Sequence, residues 1–327
     1  MPSILITGAN GFVGQELATG LLNACPDTRL TLTDVTVAPS VPASAKPEDA
    51  SRITSTKADL TCQSAVDELI SSSTPYDVVY ILHGIMSGAS EANFDLGMKI
   101  NFFSIHYIFE RLRKVTPGVK VVFASSLAVY GPTPPGFMIN ERNLPPLPTS
   151  SYATAKVASE LLLNDYSRRG FLDGRSLRLP TVTVRAGAPT GAASSFASGI
   201  IREPLKGEKS IMPVKKDTEL WICSPYVVVE NMIYAKDIPK EKFGDSRAVN
   251  LPGIKVSVQD MLDVLEQVGG KEKRALVEEK YDETVDKIVQ GWSPNFDIAW
   301  AKQLGFKEDM SLLESVKRYV SEHVSKG

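Results

Sequence analysis

The opening stretch of the chain limits its fold more than any other part. Ser3–Thr7 is a short β-rich run, Val13–Ala24 carries apolar residues at helical spacing, and the glycines Gly8, Gly11 and Gly14 lie between and within them. A strand that turns on glycine directly into a helix needs a second strand beside the first. The sequence supplies strand-like runs at Leu30–Thr33, Thr56–Leu60, Asp77–Leu82, Val119–Ser125 and Ser176–Val182, the last ending near Pro180. Helical patterns over about Asp95–Lys114 and Ser151–Ser167 alternate with them. DVVYIL at 77–82 is continuously apolar, as in strands buried on both faces. Such alternation implies parallel pairing through right-handed crossovers, hence an α/β, Rossmann-type doubly wound parallel sheet.

Between Gly131 and Pro148 six prolines (Pro132, Pro134, Pro135, Pro145, Pro146, Pro148) forbid a helix or central strand, so an ordered surface loop is expected. Glu48–Lys57, charged and rich in small residues, is also expected to be a surface loop. After Arg185 the alternation fades. Gly187–Ser198 is rich in Gly, Ala and Ser, Arg247–Leu251 resembles one more strand, and amphipathic helices are expected at Val258–Val268, Glu283–Gln290 and Leu312–His323. The expected division is a dinucleotide-binding domain over 1–183, with 220–252 returning to it. A smaller C-terminal substrate-binding region would comprise 184–219 and 253–327.

Composition removes several function classes. A net charge of −2 over 327 residues shows no basic excess, so no nucleic-acid partner is expected. No uncharged apolar stretch approaches the roughly 20 residues of a membrane span, and Ile4–Ile6 is too short for a signal segment. The three cysteines, Cys25, Cys62 and Cys223, are scattered and fit a reducing, cytoplasmic setting rather than a disulfide framework. The three histidines are dispersed and no cysteine pair has ligand spacing, so no metal is expected.

The glycine turn is suited to a dinucleotide. Gly8 permits the tight turn, Gly11 lets the backbone approach a pyrophosphate, and Gly14 lets the helix pack on the sheet. Phe12 and Val13 present backbone N–H groups at the positive end of the helix dipole. Asp34 ends the second strand at about the distance where a carboxylate bonds a ribose 2′-hydroxyl and repels a 2′-phosphate. Neither Asn10 nor Val35 supplies a compensating cation, so NAD is favoured over NADP. Asp59, at the end of the third strand, could reach the adenine amino group, or be an ordinary acidic loop residue.

Tyr152 and Lys156 are four residues apart on one predicted helix face, where phenol and ammonium can converge and the cation can lower the phenol's pKa. Taken alone, Tyr-x-x-x-Lys is also an ordinary surface pair. Ser126, at the carboxyl end of a buried strand, places a hydroxyl where it could hold the reacting oxygen. Asn101 could hold a water relay to Lys156, or lie plainly on a helix.

These segments together, the glycine turn, SSLAVYG at 125–131 and SYATAK at 151–156, resemble the extended short-chain dehydrogenase/reductase superfamily over nearly the whole chain. SGASEANFDLG (87–97), NDYSRRGFLDGR (164–175), LRLPTV (177–182) and SSFASGIIREPL (194–205) are similar to its D-erythronate dehydrogenase group, often labelled nucleoside-diphosphate-sugar epimerase. The resemblance implies that Ser126, Tyr152 and Lys156 are catalytic. It further implies that Gly8, Gly11, Phe12, Val13, Gly14, Asp34, Asp59, Leu60, Leu82, Asn101, Tyr152, Lys156, Pro180 and Val182 hold NAD. The implied reaction oxidises a secondary hydroxyl of a small sugar acid. Substrate candidates are Ser87, Ser126, Tyr152, Arg185, Ser195 and Arg202, the arginines for a carboxylate. A nucleotide-sugar epimerase and a non-catalytic NAD sensor are the alternatives.

Two departures stand out. Where many relatives read His-Leu-Ala-Ala, this chain has Ile81-Leu82-His83-Gly84, which puts His83 near the nicotinamide, where it could touch substrate or cofactor; with no partner evident in the sequence, it is expected to be merely packed. Around Glu219–Pro225 the Arg-Asp pair of many nucleotide-sugar epimerases is missing. Relatives commonly dimerise through the helices near Asp95–Lys114 and Ser151–Ser167, so a homodimer is expected.

Overall fold

The computed structural model describes residues 1–42, 45–71, 73, 75–189 and 192–324. Thr190 and Gly191, inside the Gly/Ala/Ser-rich stretch, lie outside them. The chain divides into two compact units. The first holds Met1–Ser126, Ser150–Arg178 and Val229–Val249, and the second Leu127–Thr149, Leu179–Val228 and Asn250–Gly327. Relative to the expected boundaries, 127–149, 179–183, 220–228 and 250–252 fall in the second unit. The part that rejoins the first unit is 229–249.

The first unit is built on β1 (Ser3–Thr7), α1 (Phe12–Ala24), β2 (Arg29–Asp34), β3 (Ile53–Lys57), α2 (Gln63–Leu69), β4 (Val78–Ile81), α3 (Ser87–Ala92), α4 (Phe94–Met98), α5 (Ser104–Val115), β5 (Lys120–Ser126), α6 (Ser151–Arg168) and β6 (Asp173–Leu179). The seven-stranded sheet has the order 248–250, β6, β5, β4, β1, β2, β3. Pairings among β1 to β5 are parallel, with Ile4 opposite Leu30 on one side and Val78 on the other. The order reverses at β1 and β4, the switch point where open α/β sheets bind ligands beyond the strands' carboxyl ends. Leu5, Ile81, Phe123, Ile105, Phe109 and Leu112 form one fully buried cluster, each side chain stabilising the fold by roughly 1.5–3 kcal/mol. The returning segment is pinned by polar bonds. Arg175 donates to the carbonyls of Ala235 (2.8 Å) and Ile238 (2.7 Å), and the Tyr80 hydroxyl donates to that of Met232 (3.3 Å).

Three expectations need correction. The third strand is Ile53–Lys57, not Thr56–Leu60, and the segment expected to be a loop contains it together with a 3₁₀ helix at Pro47–Arg52. This edge strand (ITSTK) faces solvent on much of its surface, so it lacks the apolar run that marks a buried strand. Arg52 holds the preceding turn in place, pairing with Asp49 at 2.6 Å and donating to three carbonyls of the α1–β2 corner. The long helix expected over Asp95–Lys114 is instead α4, a π-helical turn at Lys99–Phe103 and α5.

In the second unit, Thr181–Val182, Glu219–Cys223 and Ile254–Ser257 form a small sheet. Helices Ser195–Lys206, Val258–Arg274 and Leu312–His323 bury a separate core around Ile200, Met261, Leu265 and Val316. The proline loop carries an isolated bridge, Ile139 to Phe296, but no helix or strand.

Candidate active site

The glycine turn has the geometry of a phosphate cradle. Gly8 has φ +67°, and a Cβ there would lie 2.7 Å from both N and Cα of His83. At Gly14 a Cβ would come within 2.7 Å of the Gly8 carbonyl oxygen, so only glycine lets α1 sit this close to β1. Gly11 caps α1 with no side-chain bond to the first turn, leaving the leading N–H groups of Phe12 and Val13 without an internal acceptor. That is a helix terminus open to an anion. Asp34 ends β2 beside this turn and accepts from the N–H of Asn10 (3.1 Å) and of Val35 (2.8 Å). Asp59 is exposed and committed to its own turn. It accepts from Thr61 N (3.0 Å) and Oγ1 (2.7 Å), bonds that hold its carboxyl below the usual range. Leu60 is buried beneath it.

Ser126, Tyr152 and Lys156 come together in the first unit, at the end of β5 and the start of α6. Ser150 caps α6 by accepting from Ala153 N, which fixes the helix start one residue before Tyr152. Ser126 bonds the Tyr152 hydroxyl. Lys156, only 3% exposed, donates to the Ala124 carbonyl at 2.8 Å. Its Nζ lies 4.7 Å from the Phe123 ring centroid and 5.5 Å from that of Tyr152. Burial lowers the Lys156 pKa to about 8, against the opposing pull of Glu160. The expected lowering of the Tyr152 pKa is not found in this state. Burial pushes the phenol up to about 12, and the opposing influence is the Ser126 bond rather than the lysine. The ammonium is turned toward a carbonyl and a ring, so its field does not offset the phenol's desolvation.

Asn101 sits fully buried at the centre of the π-helical turn. Its Oδ1 accepts from Ile85 N (2.9 Å), and its Nδ2 donates to Ile85 O and Ser90 Oγ (both 3.0 Å). The amide therefore fastens the loop after β4, and neither of its hydrogens is left for a relay. The same loop bonds the sheet through Leu82, whose N–H donates to Thr7 Oγ1 at 3.2 Å. Ser87 begins α3 on the far side of that loop.

His83 has two partners that the sequence did not suggest. Nδ1 lies 2.8 Å from Thr7 Oγ1 and Nε2 2.8 Å from Ser104 Oγ. Because Ser104 donates its proton to Ile100 O at 2.5 Å, it accepts from Nε2–H, and Nδ1 accepts from Thr7. Burial, reinforced by the Lys156 charge, lowers the His83 pKa to about 3, so the ring is neutral.

The remaining candidates belong to the second unit. Pro180 is buried and Val182 pairs with Cys223. Ser195 opens the helix Ser195–Lys206. Arg202, 2% exposed, is committed to the protein, paired with Glu203 at 2.6 Å and donating to Arg185 O at 2.9 Å. It is thus a structural group rather than the free cation expected. The Arg185 guanidinium, by contrast, has no hydrogen-bond or ion-pair partner among the described residues, and burial followed by Arg202 lowers its pKa.

Sequence reasoning missed the buried trio Ser125, Glu160 and Arg178. Glu160, at 4% exposure, receives the Ser125 hydroxyl at 2.5 Å and the Arg178 guanidinium at 2.6 Å. The available signal was a glutamate one helical turn beyond Lys156, on the face that packs against the sheet.

Comparison with known proteins decides the family. Residues 4–223 match the model described as NAD dependent epimerase/dehydratase family. The chain belongs to that family. It is an extended short-chain dehydrogenase, and so an NAD-dependent oxidoreductase. It is 39% identical to a D-erythronate dehydrogenase of Cupriavidus necator, covering 98% of both chains. Against one of Haemophilus influenzae it is 38% identical, covering 97% of this chain and 98% of the relative. Among solved structures, a nucleoside-diphosphate-sugar epimerase from Agrobacterium tumefaciens superposes with a TM-score of 0.90 at 34% identity, covering 100% of this chain and 95% of that one.

Proposed function

We propose that this protein oxidises a secondary hydroxyl of a small sugar acid of the D-erythronate type, using NAD. The observation that carries the reading is full-length similarity to two D-erythronate dehydrogenases in a chain whose Ser126 and Tyr152 are hydrogen-bonded beside the buried Lys156. Arg185 supports it as a guanidinium without a protein partner among the described residues, suited to a substrate carboxylate in a way Arg202 is not.

The residues present fit NAD. The glycine turn is a cradle that side chains would fill, α1 offers uncapped N–H groups to a pyrophosphate, and Asp34 suits an unphosphorylated ribose. Bound NAD would supply the hydride acceptor and the positive charge of its oxidised ring. The protein supplies the proton path. Ser126 donates a hydrogen bond that fixes the reacting oxygen, Tyr152 takes the hydroxyl proton, and Lys156 stabilises the phenolate once Tyr152 is ionised. Two of the three Lys156 N–H groups remain for ribose hydroxyls after the bond to Ala124.

A second reading, a nucleotide-sugar epimerase, is favoured by the 34% identity to the Agrobacterium nucleoside-diphosphate-sugar epimerase. Incubation with NAD and a panel of four-carbon sugar acids separates the two. Steady accumulation of NADH absorbance supports the dehydrogenase; interconversion of UDP-sugars with no NADH from any acid refutes it. We further assign a cytoplasmic location, which the three free cysteines support, and a homodimer. Phe94 (60% exposed), Phe103 (45%) and Leu161 (67%), on and between the helices expected to pair, support the dimer. No helix among the described residues is long and apolar enough to cross a membrane.

A further inference from the structure

Glu160 is a buried carboxylate that the proton-transfer scheme does not use. It stands one helical turn beyond Lys156 on α6 and faces two other elements. Its oxygens accept the Ser125 hydroxyl of β5 at 2.5 Å and the Arg178 guanidinium of β6, through Nε at 3.0 and 3.1 Å and Nη2 at 2.6 Å. Glu160, Arg178 and Ser125 are exposed by 4%, 5% and 3%. Burying an ion pair costs several kcal/mol per charge in desolvation, and apolar residues of similar volume commonly serve stability as well or better. Stability alone therefore gives little reason for a carboxylate here, whereas its neighbours give a functional one. Ser125 immediately precedes Ser126, and the Lys156 ammonium is the next charged group along α6.

We propose that Glu160 is the positioning residue of the proton-transfer pair, anchoring through Ser125 the strand end that carries Ser126 and providing the counter-charge that keeps Lys156 an ammonium. The inference rests on the assignment of Ser126 and Lys156 above. The groups packed around Lys156 leave this task to Glu160. From β5 it meets the Phe123 ring and the Ala124 carbonyl, and from α6 the neutral Tyr152 phenol. From the loop after β4 it meets neutral His83 and the backbone of Gly84, where a Cβ would lie 3.9 Å from Nζ and 2.8 Å from the Asn101 amide oxygen. Arg178 adds a positive charge that Glu160 masks by its clamp. Glu160 is the carboxylate that opposes the loss of the Lys156 proton.

The decisive variant removes the ion pair as a unit, Glu160→Leu with Arg178→Met, so that neither member is left buried without the other. Lys156 is then titrated by NMR in protein enriched with ¹³C-lysine, its signal assigned by loss in Lys156→Met. In the wild type the midpoint is expected at about 8. In the double variant it should fall by about half a unit, less than removing an opposite charge alone would give, because the Arg178 charge goes with it. At pH 8 the charged fraction would then drop from about half to about a quarter, and kcat/KM, which reports the free enzyme, would fall about twofold. Ser125→Ala, which leaves the ion pair in place, should lower kcat with KM little changed. An unchanged Lys156 midpoint in a folded double variant overturns the counter-charge role, and an unchanged kcat in Ser125→Ala overturns the anchoring role. The titration uses no substrate, so failure of the sugar-acid assignment would not disturb its result.

Discussion

Acid should destabilise this protein through His83, and by an amount the structure sets. The ring is held neutral between Thr7 and Ser104, its pKa lowered from 6.5 to about 3 by burial and by the Lys156 charge. Between those two values the unfolded chain binds a proton that the native ring refuses. Stability therefore falls as pH drops from 6.5 toward 3, and above 6.5 the group contributes no pH dependence. Each pH unit in this window is worth about 1.4 kcal/mol, so acidifying from pH 6.5 to 4.5 costs roughly 2–3 kcal/mol. Carboxylates titrate over part of the same range, so the comparison must be made with a variant that lacks only this ionisation. His83→Gln keeps a polar side chain and cannot take up the proton. At pH 7.5 it should be less stable than wild type by about 1–2 kcal/mol, the worth of one or two buried hydrogen bonds. Urea unfolding followed by circular dichroism from pH 7.5 to 4.5 should show that gap closing and then reversing. A gap that stays constant to pH 4.5 would refute the neutral, buried assignment.

Other perturbations test the rest of the site. Gly8→Ala forces an L side chain to φ +67° and drives a Cβ to 2.7 Å from the His83 backbone; calorimetry with NAD should show at least a tenfold loss of affinity, with stability lower by about 2 kcal/mol. Asp34→Ala removes the carboxylate beside the cradle, so the ratio of kcat/KM for NAD over NADP should fall about tenfold or more. Arg185→Met should raise KM for the acid by tenfold or more while leaving NAD binding intact, because truncating one partner of a charge pair costs about 2 kcal/mol or more.

The sheet is legible in the sequence where strands are buried, and the chemistry where motifs are local. β1, β4 and β5 announce themselves because both their faces are covered, and Gly8, Gly11 and Gly14 because one turn needs all three. β3 is easily misplaced because an edge strand half open to solvent carries polar residues that read as loop. The π-helical turn escapes notice because its periodicity is close to a helix's, and only the inward aim of Asn101 reveals it. The partners of His83 and Glu160 come from distant strands and helices, so no local pattern could pair them. The sequence suggests that Lys156 would acidify Tyr152. In the folded protein desolvation outweighs a cation whose proton points at Ala124.

The proposed chemistry stands on Tyr152 as the group that moves the substrate proton. The direct measurement is NADH formation in a single turnover by Tyr152→Phe, with D-erythronate or the acid from the panel that the wild type oxidises, alongside NAD affinity by calorimetry. The expected result is a rate lower by about 10²–10⁴-fold, the usual contribution of a positioned general base, with NAD affinity within about twofold of wild type. A variant that forms NADH at the wild-type rate would contradict it.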